Sequence, residues 1–199
     1  MAIFAGALVA IRFVTKIWVV RLKLWLDDWL ILVAMTSMIP SAFINVFGLA
    51  RHGLGRDIWT LQPGEITRVL MYFHTMAWLY FLDTTLIKLS MISFYLRLFP
   101  TPGTKRLLWG TFALTSLWGT SFVLVAIFQC RPIAHFWRKW DGNHEGSCLN
   151  ANAIAWSNAA TNIALDVWIL IIPLWKLRPL QMHWKKKCGV GFMFIIGAL

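Results

Sequence analysis

Acidic residues are what this sequence has least of. Eight Asp and Glu stand against nineteen Lys and Arg in 199 residues, and charged residues make up only 14% of the chain, where an ordinary soluble domain carries about 25%. With 59% of its residues apolar, the chain has too little polar surface to cover itself in water, which excludes a soluble globular domain. Catalytic signatures are missing too. No Gly-rich phosphate loop, HExxH pair or nucleophile motif occurs. A basic-then-apolar leader is also lacking, because Met1 opens directly into an apolar run that holds Arg12 and Lys16. The formal charge of +11 invites a nucleic-acid reading, but the basic residues fall between apolar runs rather than along one stripe, so no nucleic-acid partner is expected.

What is present is a series of membrane-length apolar segments. Trp29 to Ala50 and Leu107 to Phe128 each run 22 positions without a charge, enough at about 1.5 Å per residue to cross a hydrocarbon layer of roughly 30 Å. Two further spans, about 69–99 and 153–175, hold Asp83 and Lys88 in the first and Asp166 in the second. Two further stretches, 1–20 and 188–199, read as partial helices, because Ala2 to Ile11 gives ten apolar residues before Arg12 and Cys188 to Leu199 gives twelve, too few to cross a bilayer alone. The reading is a single all-α domain over 1–199, a polytopic transmembrane helical bundle with four complete helices and two partial ones, whose first partner is the lipid bilayer. Many of the thirteen Trp residues (Trp25, Trp29, Trp59, Trp137, Trp140, Trp175 and Trp184 among them) fall at span ends, where an indole anchors at the interface.

Breaks between the spans carry the expected punctuation. Gln62-Pro63-Gly64-Glu65 has the proline and early acid of a helix start, and Pro100-Thr101-Pro102-Gly103-Thr104 ends the helix before it. Asp27 or Asp28 is placed to cap the span that follows Arg21-Leu22-Lys23. If that first turn is cytoplasmic, the inner loops carry ten Lys and Arg and the outer loops six (Arg51, Arg56, Arg68, Arg131, Arg138 and Lys139), in line with the positive-inside rule. The Lys176 to Lys187 connector is then cytoplasmic and is the candidate surface for a signalling partner.

Several signatures occur together and in order: Leu24-Trp25-Leu26-Asp27-Asp28-Trp29-Leu30-Ile31-Leu32, the glycine loop Gly48 to Gly55, Lys88-Leu89-Ser90 with Phe94-Tyr95-Leu96-Arg97-Leu98-Phe99, Phe128-Gln129-Cys130-Arg131-Pro132-Ile133, and Ser157-Asn158-Ala159-Ala160-Thr161-Asn162 through Asp166 to Pro173. In combination the chain resembles the fungal rhodopsin-like integral membrane proteins over nearly its whole length. The resemblance implies a seven-helix membrane protein of a filamentous fungus, in a family whose members include receptor-like proteins and proteins of secondary-metabolite gene clusters. Against that pattern the chain is expected to start midway through helix one and stop midway through helix six, as a truncated gene model would. No retinal or other cofactor is expected, because the retinal lysine of rhodopsins sits in helix seven.

Candidate site residues are few. Asp83, Lys88 and Asp166 are the ionisable groups inside spans, where each is costly unless paired or wetted. Asn158, Asn162 and Asp166 share one face at spacing four and would form polar glue between helices. Asp83 and Lys88, five apart, are about 140° apart around a helix, so a cross-helix contact from Lys88 to Asp166 is the better expectation. These five residues read as a structural polar cluster, as a small-molecule pocket, or as the acid of a terpene-cyclase-like membrane enzyme using Asp83 or Asp166; a transporter fragment is a further reading. Cys130 and Cys148 bracket the long outer loop and would staple it if oxidised; the alternative is two free thiols. His135, His144 and Cys148 lack a convincing zinc spacing, so no metal site is expected. Cys188 reads as an ordinary apolar residue, with palmitoylation as the alternative.

Overall fold

A computed structural model describes Val9 and residues 26–50, 61–99, 101–142 and 145–177. The chain divides into two compact units, Met1–Ala151 and Asn152–Leu199, and each is described by itself. The expected partial helices at 1–20 and 188–199, and the connector beyond Leu177, lie outside the described residues.

Helix α1 spans Leu26–Phe43 and passes into a wider π-helical stretch, Ile44–Ala50. Asp27 and Asp28 occupy its first turn, where carboxylates complement the positive end of the helix dipole. Helix α2 spans Pro63–Leu98. Its start is set by Pro63, whose missing N–H costs nothing in a first turn, and by Glu65, whose Oε2 accepts from the Gln62 N–H at 3.3 Å. It stops where Phe99 turns extended ahead of Pro100, the conformation that a following proline imposes. Helix α3, Pro102–Ile127, begins on Pro102 itself. The proline run that ends one helix therefore also starts the next. A short β1 strand (Cys130–Arg131), a single turn α4 (His135–Arg138), a 3-10 turn (Lys139–Asp141) and β2 (Ser147–Cys148) form the connection to helix α5, Ala151–Leu177.

Four helices among the described residues are long and apolar enough to cross a membrane: Leu26–Leu49, Pro63–Leu98, Pro102–Ile127 and Ala151–Trp175. The protein is an all-α polytopic membrane protein. At about 1.5 Å per residue, α2 is about 54 Å long, more than the hydrocarbon layer needs. Its extra turns at the outer end, ahead of the apolar run that begins near Val69, are covered by the α3–α5 connection.

In the first unit, α2 packs on α1 along one side and on α3 along another. The α1 pairing is antiparallel: the Asp27 carbonyl meets Ser90, Ser37 meets Asp83, Ser41 meets Met76 and Gly48 lies under the Tyr72 ring. The α1 side of this seam is built of small residues, Ala34, Ser37, Ser41 and Gly48. Lipid offers helices no hydrophobic incentive to associate, so close packing and interhelical hydrogen bonds must hold them, and small side chains permit both. The α3 pairing is also antiparallel. Phe81 meets Phe122, with ring centroids 5.8 Å apart, and Thr85 lies directly against Gly119. On α2, Phe73, Tyr80, Ile87 and Phe94 recur every seven residues and are all exposed. This is the stripe the helix turns to lipid.

A β-carbon at Gly119 would overlap the Thr85 side chain. Gly119→Ala is therefore expected to destabilise the detergent-solubilised protein by about 1–3 kcal/mol, the usual size of an overpacking penalty. Trimming the obstacle with Thr85→Ala in the same chain should recover part of that loss, read as the thermal unfolding midpoint of the single and double variants.

Candidate functional site

At the N-terminal end of α2 the connection between α3 and α5 folds back as a cap. Cys130 and Cys148 are joined by a disulfide that also pairs β1 with β2, in antiparallel register with Arg131 opposite Ser147. The Leu149 N–H donates to the Gln129 carbonyl at 2.8 Å, extending the pairing by one rung. Closing 18 residues of chain separation stabilises by about 3 kcal/mol in the chain-entropy account. Four side chains dock this cap onto α2. Gln129 lies 3.1 Å through Nε2 from His74 Nδ1, in a buried contact. The His74 ring also packs against Phe136 and Trp137, at centroid distances of 4.9 and 5.9 Å. Trp140 Nε1 donates to Thr67 Oγ1 at 3.0 Å, two turns nearer the start of α2. Cys148 Sγ is committed to the disulfide and so does not serve as a zinc ligand; His144 lies outside the described residues.

The sequence singled out neither His74 nor Gln129. A buried histidine in the outer third of a span was a usable signal, because only a partner from the neighbouring loop keeps a buried imidazole satisfied.

Midway along α2, Asp83 faces α1 and accepts the Ser37 hydroxyl. Lys88 is 3% exposed and lies about 140° around the helix from Asp83. It is three residues on from Thr85, on the side of α2 that turns toward α3. Asp83 and Lys88 therefore lie on different faces of α2. Asn158, Asn162 and Asp166 follow one another at one-turn intervals along α5 and occupy one face of that helix. They belong to the second unit, and Asp83 and Lys88 to the first. Of the basic connector, only Lys176 and Leu177 fall in the described α5; Cys188 does not.

At the start of α1, Asp27 and Asp28 are 0% and 1% exposed. The sequence suggested a cap at the membrane surface. The structure places both in the first turn of α1, as a cap requires, but packs that turn against α2, with the Ser90 hydroxyl donating to the Asp27 carbonyl at 3.1 Å. A first turn docked on a neighbouring helix is removed from water, and its acids go with it. The signal available in the sequence was Ser90 in an apolar run, a residue type that bonds backbone carbonyls across helix seams.

Helices of membrane length, an apolar stripe on α2 and a cystine-closed cap define a polytopic helical membrane protein. The family model of the fungal rhodopsin domain matches residues 11–199, and the chain belongs to that family. It is 30% identical over 121 residues to satratoxin biosynthesis SC1 cluster protein 4 of Stachybotrys chartarum, covering 60% of this chain and 44% of that protein. It is 28% identical over 151 residues to a SAT4 family membrane protein of Emericella nidulans, covering 74% and 38%. To wortmanamides biosynthesis cluster protein C of Talaromyces wortmannii it is 26% identical over 195 residues, covering 94% and 52%. The chain thus spans about half the length, or less, of these curated relatives. No solved structure matches it.

The cap makes a direct prediction. His74→Ala and Gln129→Ala should each destabilise the protein, and a double-mutant cycle should return a coupling of about 0.5–1.5 kcal/mol, the usual net worth of one hydrogen bond. Additive effects in thermal unfolding would mean that the loop does not dock through this pair.

Proposed function

We propose that this protein is a receptor-like or accessory membrane component that binds a small molecule and performs no catalysis of its own. The observation that carries the reading is the outer cap: a disulfide-closed loop docked by His74, Thr67 and three aromatic residues onto α2. The same helix continues inward to buried Lys88 and Ser90. A ligand that moved the cap would act on a helix whose far end lies at the opposite membrane face, the mechanical requirement for a signal. Relatives named as products of biosynthesis clusters point to secondary metabolites as the ligand class. The Lys176 to Lys187 connector is the proposed contact for a cytoplasmic partner, by virtue of its charge.

The competing reading is a membrane enzyme that uses Asp83 or Asp166 as an acid. The two separate in one experiment on the full chain in lipid nanodiscs, challenged with a panel of amphiphilic fungal metabolites. The receptor reading expects a metabolite that raises the unfolding midpoint, as ligand in 100-fold excess over its Kd stabilises by about 2.7 kcal/mol, and that is recovered chemically unchanged. It also expects Asp166→Asn to remain folded and responsive. Conversion of a metabolite to a new product, abolished by Asp83→Asn or Asp166→Asn, would contradict it.

A further inference from the structure

Helices α1 and α2 open on acids, Asp27 and Asp28 in the first turn of one and Glu65 in that of the other. Helix α3 opens differently. Its first turn holds no acid, and Lys105 and Arg106 follow Thr104 there instead, both exposed. Cations at this end of a helix face the positive pole of its dipole, so α3 itself offers them no compensation. No acidic residue occurs from Thr84 to Trp140, and neither Lys105 nor Arg106 has an ion pair among the described residues.

Arg97 brings a third cation to the same place. It lies half-buried in the last turn of α2, and only Phe99, Pro100 and Thr101 separate α2 from α3. Phe81 meets Phe122 and Thr85 meets Gly119 on these antiparallel helices. Carried on at equal steps to the turn, that register sets Arg97 level with Arg106 and Leu107. Asp27 and Asp28 do not balance this charge: they are buried, at the level of Ser90, which is about 10 Å back along α2 from Arg97.

Beside the cations the surface is apolar. Trp109 is exposed one turn on from Lys105, on the same face of α3, and Phe94 and Leu98 are exposed on the last turns of α2. Both helices are of membrane length, and at such helix ends an indole sits at headgroup level while long basic side chains reach outward over apolar stems. A partner that meets both features carries a negative head on a hydrocarbon body.

We propose that the α2–α3 turn is a binding site for an anionic phospholipid, with Arg97, Lys105 and Arg106 around the headgroup phosphate and Phe94, Leu98 and Trp109 along the acyl chains. The positive-inside expectation puts this turn in the cytoplasmic leaflet, the one that carries anionic lipid. Bound there, the lipid ties the end of α2 to the start of α3. The inference stands apart from the small-molecule reading above.

The test counts lipids held by the full chain in neutral detergent, by native mass spectrometry, with dioleoyl phosphatidic acid and dioleoyl phosphatidylcholine as probes. The two share their acyl chains and differ by the choline that cancels the headgroup charge. Phosphatidic acid should bind at least about tenfold more tightly. Lys105→Gln and Arg106→Gln should each weaken it about fivefold, the worth of one cation near an anionic surface, and leave phosphatidylcholine unchanged. Lys105→Arg should retain binding. Lys139→Gln, which removes an exposed charge from the cap instead, should change neither lipid, and glycerol 3-phosphate at equal concentration should not displace phosphatidic acid. Folding of each variant is checked by its intact Cys130–Cys148 bond and monodisperse elution; should one of the two Gln variants at the turn fail that check, the other decides. Equal binding of the two lipids, a loss in Lys139→Gln as large as in Lys105→Gln, or displacement by glycerol 3-phosphate would overturn the lipid site.

Discussion

Helix α2 must satisfy three neighbours at once, and the first unit is arranged around that constraint. One side takes α1 through small residues and two serine hydroxyls, another takes α3 through the Thr85–Gly119 approach, and its outer turns carry the disulfide-closed cap. The stripe of Phe73, Tyr80, Ile87 and Phe94 is left for lipid. In a bilayer, burial of apolar surface against another helix gains little over burial against acyl chains. Positions of close contact and interhelical hydrogen bonds therefore decide which faces meet. Gly119 shows how narrow the tolerance is, since one methyl group there has nowhere to go.

The polar residues of α2 follow the same division. Asp83 and Ser90 serve α1, His74 serves the cap, and Lys88 lies toward α3. His74, Asp83 and Ser90 are held by different partner types: a loop amide, a serine hydroxyl, and a backbone carbonyl where the first turn of α1 docks.

The sequence revealed the membrane fold because hydrocarbon demands long uncharged stretches, and Trp29 to Ala50 and Leu107 to Phe128 could be nothing else. It also offered the cystine, since Cys130 and Cys148 bracket one loop. Less of the candidate site was visible. Asp27 and Asp28 carry the local pattern of a surface cap, and only the docking of α1 on Ser90 removes them from water. His74 and Gln129 lie 55 residues apart, with no periodicity to join them. Such features depend on which helix faces meet, and a single sequence records faces but not their pairing.

That pairing is open to direct measurement by cysteine cross-linking in alkali-washed membranes, on chains in which native Cys188 is replaced by Ser. The account predicts rapid disulfide formation between Cys residues introduced as Thr85→Cys with Gly119→Cys, and as Ser41→Cys with Met76→Cys, and none when Ile87→Cys replaces the α2 member of either pair. Cross-linking through Ile87→Cys as readily as through the other two, or release of the chain by the alkali wash, would contradict a lipid-embedded bundle organised around α2.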